Sequence, residues 1–342
     1  MTFGLKTILL IYLFVMAAFV APATAADQIA LNDPTLESIH TGALYPEGIE
    51  YNPKTGKFLL CSFREGVVYE VSSDGTYRRL IEDERLITGM GIRVDVARNR
   101  LLVVTADVDI SVRRSAKGPN TFAALGIYDL STGKPTHFIN LGSLRPEGEK
   151  HIGNDLAVDR DGNAYITDSL APVIYKVDIR GNASVFLESK ADFSGEGINL
   201  NGIVYHPQGY LIVAKKNDGS LFKVPVNNPE KFTKIRSSRS FVGADGLSLV
   251  NENNLIVVAN RASGILSDTA YAIKSVDQWE SGEAFGEYQF RNDDYPTTSV
   301  VKDGKIYVVS GRIDKLLTAA DAEKSSGYAQ KTIIQQIGRV VR

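Results

Sequence analysis

From residue 46 onward, short apolar runs alternate with tight polar turns along the chain. Residues 152–169, IGNDLAVDRDGNAYITDS, show the pattern: Asn154 and Asp155 open it, 156–158 are apolar, 159–163 form a polar turn, and 164–167 are apolar again up to Asp168. Two such runs about an Asp/Gly/Asn turn predict an antiparallel hairpin. Five further stretches have the same form, opening at Glu47, Met90, Asn201, Asp245 and Thr297. With Asn154 in its place, the steps between openings are 43, 64, 47, 44 and 52 residues. Third strands are expected at 67–71, 124–129, 173–178, 221–224 and 270–273, and a weaker fourth strand at 184–187. Sustained helical periodicity is nearly absent.

Four short strands repeated at this period predict an all-β fold, a six-bladed β-propeller. A two-sheet sandwich does not account for ~24 strands at a recurring spacing. After the last hairpin a short helix is expected over 318–329 and a strand over 332–337. Either that strand or residues 36–41 should close the ring. The long step of 64 residues carries a polar insertion, 108–122, expected over the same face as the hairpin openings.

The first residues read differently. Lys6 precedes an apolar run at 8–21 and then Ala23-Thr24-Ala25. A basic start, a short apolar stretch and an A-x-A site describe a secretory signal peptide over 1–25, with one domain over 26–342. The run is short of the ~20 residues of a membrane span. Cleavage leaves 342 less 25, or 317 residues, and the formal charge moves from −2 to −3 because Lys6 is lost. A secreted or periplasmic location, with no membrane span after cleavage, is the expectation. The near-balanced charge and the lack of a basic stripe argue against nucleic acid as a partner. Cys61 is the only cysteine, so intrachain disulfides and a cysteine-based metal site are excluded, and Cys61 reads as a small buried hydrophobe.

In a propeller the innermost strand of each blade runs beside the central channel, and its first residue faces the channel mouth. Asn or Asp at a strand entrance is ordinarily turn chemistry. Here, though, Glu47, Asn154, Asn201 and Asp245 share one register, and Glu is a poor turn former. Two carboxylates and two amides are oxygen donors suited to a hard cation, Ca²⁺ first, with Mg²⁺ or Mn²⁺ as alternatives. Zn²⁺ would call for His or Cys at these positions. The metal site is therefore placed at the mouth of the central channel. Exits of the second strands reach the same face and bring Arg64, Asp168, Lys215, Arg261 and Arg312, with His151 at the rim. These six are the expected contacts of a small-molecule substrate, and the four cations among them favour an anionic one. Asp168 is also expected to support the metal ligands.

YPEGIEYNP, GNDLAVDRDGNAYITDS, LNGIVYHPQGYLIV and GADGLSL occur in the order found in the senescence marker protein/gluconolactonase/LRE-like family, which the chain resembles over roughly residues 40–315. Relatives of that family include regucalcin, diisopropyl-fluorophosphatase and the paraoxonases. The resemblance implies a catalytic Ca²⁺ held by Glu47, Asn154, Asn201 and Asp245, with Asp245 doubling as general base or nucleophile. It also implies hydrolysis of lactones, esters or phosphotriesters. Two features depart from relatives: no paraoxonase-type His pair is evident among His40, His137, His151 and His206, and the sixth opening is Thr297 rather than a carboxylate. A non-catalytic propeller that binds a ligand or protein at the same mouth is the competing expectation.

Overall fold

The computed structural model describes Met1 and residues 28–31, 37–262, 264–291, 294–318 and 331–341. Apart from Met1, the predicted signal peptide lies outside the described residues. So does the predicted helix over 318–329, except Thr318, which ends a described helix, Ile313–Thr318.

The β structure divides into antiparallel units of four strands. The first runs Pro46–Asn52, Lys57–Ser62, Val67–Val71 and Tyr77–Glu82. The second is Thr88–Asp95, Arg100–Ala106, Thr121–Asp129 and Pro135–Asn140, and the third His151–Val158, Ala164–Asp168, Val173–Val177 and Ala183–Glu188. These two are joined by a short parallel pairing, His151 and Ile152 with Thr121 and Phe122, so they run as one eight-stranded sheet. The fourth unit is Leu200–His206, Tyr210–Lys215, Ser220–Pro225 and Thr233–Lys234; the fifth is Ala244–Asn251, Asn254–Ala262, Ile265–Lys274 and Glu283–Gln289. The sixth begins with Pro296–Lys302 and Lys305–Ser310.

Both candidate closing segments are used. Ile333–Val341 pairs with Lys305–Ser310 as a third strand, and Gln28–Leu31 and Ser38–His40 pair along its outer side. Sequence-distant segments thus complete the last unit immediately before the first unit starts. The first strands of successive units lie against one another in order, and that of the sixth, Pro296–Lys302, lies against Pro46–Asn52 of the first.

Apolar side chains fill the space between neighbouring units. Leu59, Val68, Leu101 and Tyr128 pack between the first and second, Tyr165, Ile174, Leu211 and Phe222 between the third and fourth, and Ile256, Val258, Ile306 and Val308 between the fifth and sixth. A middle strand is covered on both faces, so Lys57–Ser62 is buried along nearly its whole length, whereas the outermost strand Tyr77–Glu82 is largely exposed. This double burial explains why middle strands read as continuous apolar runs and outer strands left little signal.

Close approach of the inner strands depends on glycine. In four of the six units the residue after the predicted opening is Gly48, Gly91, Gly202 or Gly246. A Cβ on Gly48 would stand 2.7 Å from the Met90 carbonyl oxygen; one on Gly202 would collide with the carbonyl oxygen of Asp245. Overpacking here should cost about 1–3 kcal/mol. Urea unfolding of Gly202→Ala should show that loss, while Gly286→Ala, whose Cβ would meet only ordinary contacts from 3.6 Å outward, should stay within about 0.5 kcal/mol of the parent. Equal stability of the two variants would contradict the crowding argument.

Candidate metal and active site

In every unit the pairing of first and second strands slips at the predicted opening. Glu47 falls between the pairs Pro46–Ser62 and Gly48–Cys61, and Met90 between Gly89–Thr105 and Ile92–Val103. Asn154, Asn201, Asp245 and Thr297 occupy the corresponding irregularities. A bulge frees a residue from the ladder and re-aims its side chain. All six opening residues are buried, Glu47 8%, Asn154 4%, Asn201 2% and Asp245 4% exposed. Thr297 and Met90 have structural tasks: the Thr297 hydroxyl donates to the Glu47 carbonyl at 2.7 Å, tying the sixth unit to the first, and Met90 joins the apolar core. Four oxygen-bearing side chains remain.

Their electrostatics are those of a crowded anionic site. Burial, then repulsion from Asp245 and Asp155, pushes the Glu47 carboxyl well above its usual range, against an opposing pull from Lys216. Asp155 is also raised by burial, although Arg93 and the Leu156 and Ile203 amides favour its charge. Glu50 and Arg93 pair on the channel side of the same cluster. Four carboxyl groups thus share two cationic groups, an excess of two negative charges when all are ionised.

The donor set fits a divalent cation on two counts. Carboxyl groups outnumber cationic ones in the cluster, and Asn154 Oδ1 is buried with no hydrogen-bond partner while its Nδ2 donates to Ser169 Oγ at 3.0 Å. Glu47 and Asn201 line one narrow cavity together. Among the described residues no three His, Cys, Asp or Glu side chains are grouped to hold a metal, so any such site depends on the two amides. Asp245 is the most engaged member: its Oδ2 accepts from Lys216 Nζ at 2.9 Å and from Asn260 Nδ2, which also donates to the Pro296 carbonyl at 2.8 Å.

The other expected residues scatter. Lys215 turns back to Asp218 at 3.0 Å, and it is Lys216, one residue later, that enters the site. Arg261 pairs with Asp314 and borders a cavity of about 540 Å³ shared with Lys216, Asn217 and Tyr295. Arg312 pairs with Asp294 at 3.3 Å. The carbonyl of Arg64 accepts from Ser111 Oγ and Val112 N, so the insertion is strapped onto the first unit. Asp168 does not touch the metal-ligand candidates. Its Oδ1 accepts from the backbone N–H groups of Ile152, Leu170 and Ala171, each at 3.0 Å, and its Oδ2 from His151 and Tyr175. His151 borders a separate cleft of about 870 Å³ whose walls include none of the six openings. Asp155 adds charge to the cluster, and Lys216, Asn260 and Tyr295 were not singled out by sequence. The signal for Lys216 was only its place just past a second strand, and for Asn260 its place near the end of one; in both units the first-strand bulge shifts the register by one.

No protein-family model matches the chain. Among curated proteins, the major outer membrane protein of Pasteurella multocida (strain Pm70) is 20% identical over 191 residues, 48% of this chain and 55% of that protein. The chain thus spans about half the length of the curated relative it matches. Among the described residues no helix is long and apolar enough to cross a membrane. The fold is similar to that of the major allergen Mala s 1 of Malassezia sympodialis, with a TM-score of 0.68, 17% identity, and coverage of 88% of this chain and 95% of that one. It is also similar to a calcium-binding protein, regucalcin, from Agrobacterium tumefaciens str. C58 (0.59, 15%, 88% and 92%). A gluconolactonase from Xanthomonas campestris gives 0.59, 13%, 91% and 94%. At these identities the likeness shows the fold, which is propeller-type and nearly all-β. Solved structures sharing it thus include a regucalcin and a gluconolactonase, relatives in the family that the sequence segments resemble.

The Asp168 hub yields a stability prediction. Asp168→Ala strands five donors in a fully buried place, and an unfolding titration should show a loss of about 3 kcal/mol or more. A loss below about 1 kcal/mol would contradict the role assigned to this carboxylate.

Proposed function

We propose that the chain is a six-bladed β-propeller hydrolase of lactone- or ester-type small molecules, exported after removal of residues 1–25. It would use a divalent cation, Ca²⁺ first, with Mg²⁺ or Mn²⁺ as alternatives, held by Glu47, Asn154, Asn201 and Asp245. The observation that carries the reading is the placing of two carboxylates and two amides at matching bulges of four units, with burial and mutual repulsion raising the Glu47 carboxyl. The sixfold cycle of inner strands supports the blade count, and the gluconolactonase and regucalcin folds support the reaction class.

When bound, the cation supplies electrostatic stabilisation for the oxyanion that develops on a substrate carbonyl. The protein's own groups do the rest. Asn260 engages Asp245 Oδ2, which leaves Oδ1 to take a proton from water or to attack the carbonyl carbon. Substrate would enter by the cavity beside Lys216, where Tyr295 offers a ring face and Arg261 a cation. Phosphotriester cleavage would be a side activity of the same groups.

The second reading, a non-catalytic propeller that binds a ligand or a protein, has one observation in its favour: Lys216 already neutralises Asp245. A panel of γ- and δ-lactones and aryl esters separates the two. The hydrolase should act on at least one, lose activity to a chelator, regain it with Ca²⁺, and fall by about 100-fold or more in kcat/KM as Asp245→Asn. An Asp245→Asn variant as active as its parent would remove the hydrolase reading. Mass spectrometry of exported protein should find a chain beginning at Ala26; an intact Met1 start would refute the leader.

A further inference from the structure

We propose that Lys216 is a built-in occupant of the cation position: its ammonium holds Asp245 in the metal-free protein, and a divalent cation on the four oxygen donors displaces it into the adjoining cavity. The inference rests on the metal reading above and adds a mobile competitor from the chain itself.

Backbone geometry sets this residue apart from its neighbour. Lys215 ends a strand and turns back onto Asp218, whereas the Lys216 amide donates to the Asn199 carbonyl and its own carbonyl accepts from Gly243, each at 2.8 Å. Those two bonds fix Lys216 between the fourth and fifth units, from where Nζ reaches Asp245 Oδ2 at 2.9 Å. The residue is 7% exposed, and Asp245 is its one ion-pair partner among the described residues. A buried ammonium without a partner is costly, so it remains on Asp245 until something better takes the carboxylate.

A dication and an ammonium cannot share that oxygen at close range without strong repulsion. Lysine has a place to go, because it borders the cavity of about 540 Å³ with Asn217, Arg261 and Tyr295, and Nζ is 6.0 Å from the centre of the Tyr295 ring. Its flexible four-carbon stem allows the swing without backbone movement. Once released, the ammonium faces the route by which substrate enters, in a cavity that Glu196 and Arg261 also line. Metal occupancy would thereby create a binding point for an anionic group, and the two events would favour each other reciprocally.

The test combines calorimetry with lysine labelling on the whole chain. Ca²⁺, and in a separate series Mn²⁺, is titrated into metal-stripped wild type, Lys216→Met and Lys216→Arg. Separately, wild-type lysines are trace-acylated with an N-hydroxysuccinimide ester, with and without saturating CaCl₂, and read by peptide mass spectrometry. The expected results are a Kd at least about tenfold lower for Lys216→Met, no such gain for Lys216→Arg, and a several-fold rise in Lys216 acylation on adding Ca²⁺ while Lys215 stays constant. If Ca²⁺ binds wild type but Lys216 acylation does not change, or Lys216→Met binds no tighter, the displacement is wrong and the metal reading survives. If neither Ca²⁺ nor Mn²⁺ binds any of the three proteins, the metal reading fails and the displacement with it. The labelling arm uses wild type, so the inference stays open to refutation even if a variant fails to fold.

Discussion

Everything in this molecule depends on how closely the inner strands approach one another around the channel. Their backbones come within reach because small residues stand where strands touch, as at Gly202 against Asp245 and Gly246 against Thr298. Hydroxyl groups then stitch neighbouring inner strands: Thr167 donates to the Asn201 carbonyl, Ser248 to that of Ser299, and Thr297 to that of Glu47. The last of these spans 250 residues of sequence and ties the end of the cycle to its beginning. Bulges at the same level turn the opening side chains out of the ladder, so the device that closes the ring also aims the candidate ligands.

That convergence has an electrostatic consequence. Glu47, Asp155 and Asp245 are forced into one buried region, and burial raises the Glu47 and Asp155 carboxyls above their usual range. Arg93 and Lys216 relieve part of the repulsion, each through a defined ion pair. Burial works against the Lys216 ammonium, yet Asp245, by charge and hydrogen bond, with Tyr295 and Glu47 adding to it, holds it above the usual lysine range. Such a cluster is poised rather than relaxed: it needs positive charge, and one of its two suppliers sits on a flexible stem beside an open cavity.

The repeat was legible in the sequence because middle strands are buried on both faces and carry unbroken apolar runs; Val67–Val71 lies where the pattern put it. The openings were legible too, since Glu47, Asn154, Asn201 and Asp245 share one offset from each hairpin. Most outer strands were not, because those like Tyr77–Glu82 are largely exposed, and the closure was legible only as two candidate segments, both of which the last unit takes in. Rim chemistry was the hardest to read. Lys215 and Lys216 differ by one position and point to different partners, a distinction that depends on the slipped register of the fourth unit. Asp168 looked like a support for the metal ligands, but three backbone amides and the His151–Tyr175 pair claim its carboxylate, a demand invisible without the turn geometry.

The central claim is that ring closure gathers four side chains from four units into one cation site. Anomalous diffraction from crystals soaked in Mn²⁺ tests it most directly. The account predicts a single strong peak bounded by oxygens of Glu47, Asn154, Asn201 and Asp245, with Lys216 Nζ withdrawn from Asp245. A well-ordered map with no peak there, and with the Lys216–Asp245 pair intact at saturating metal, would contradict it.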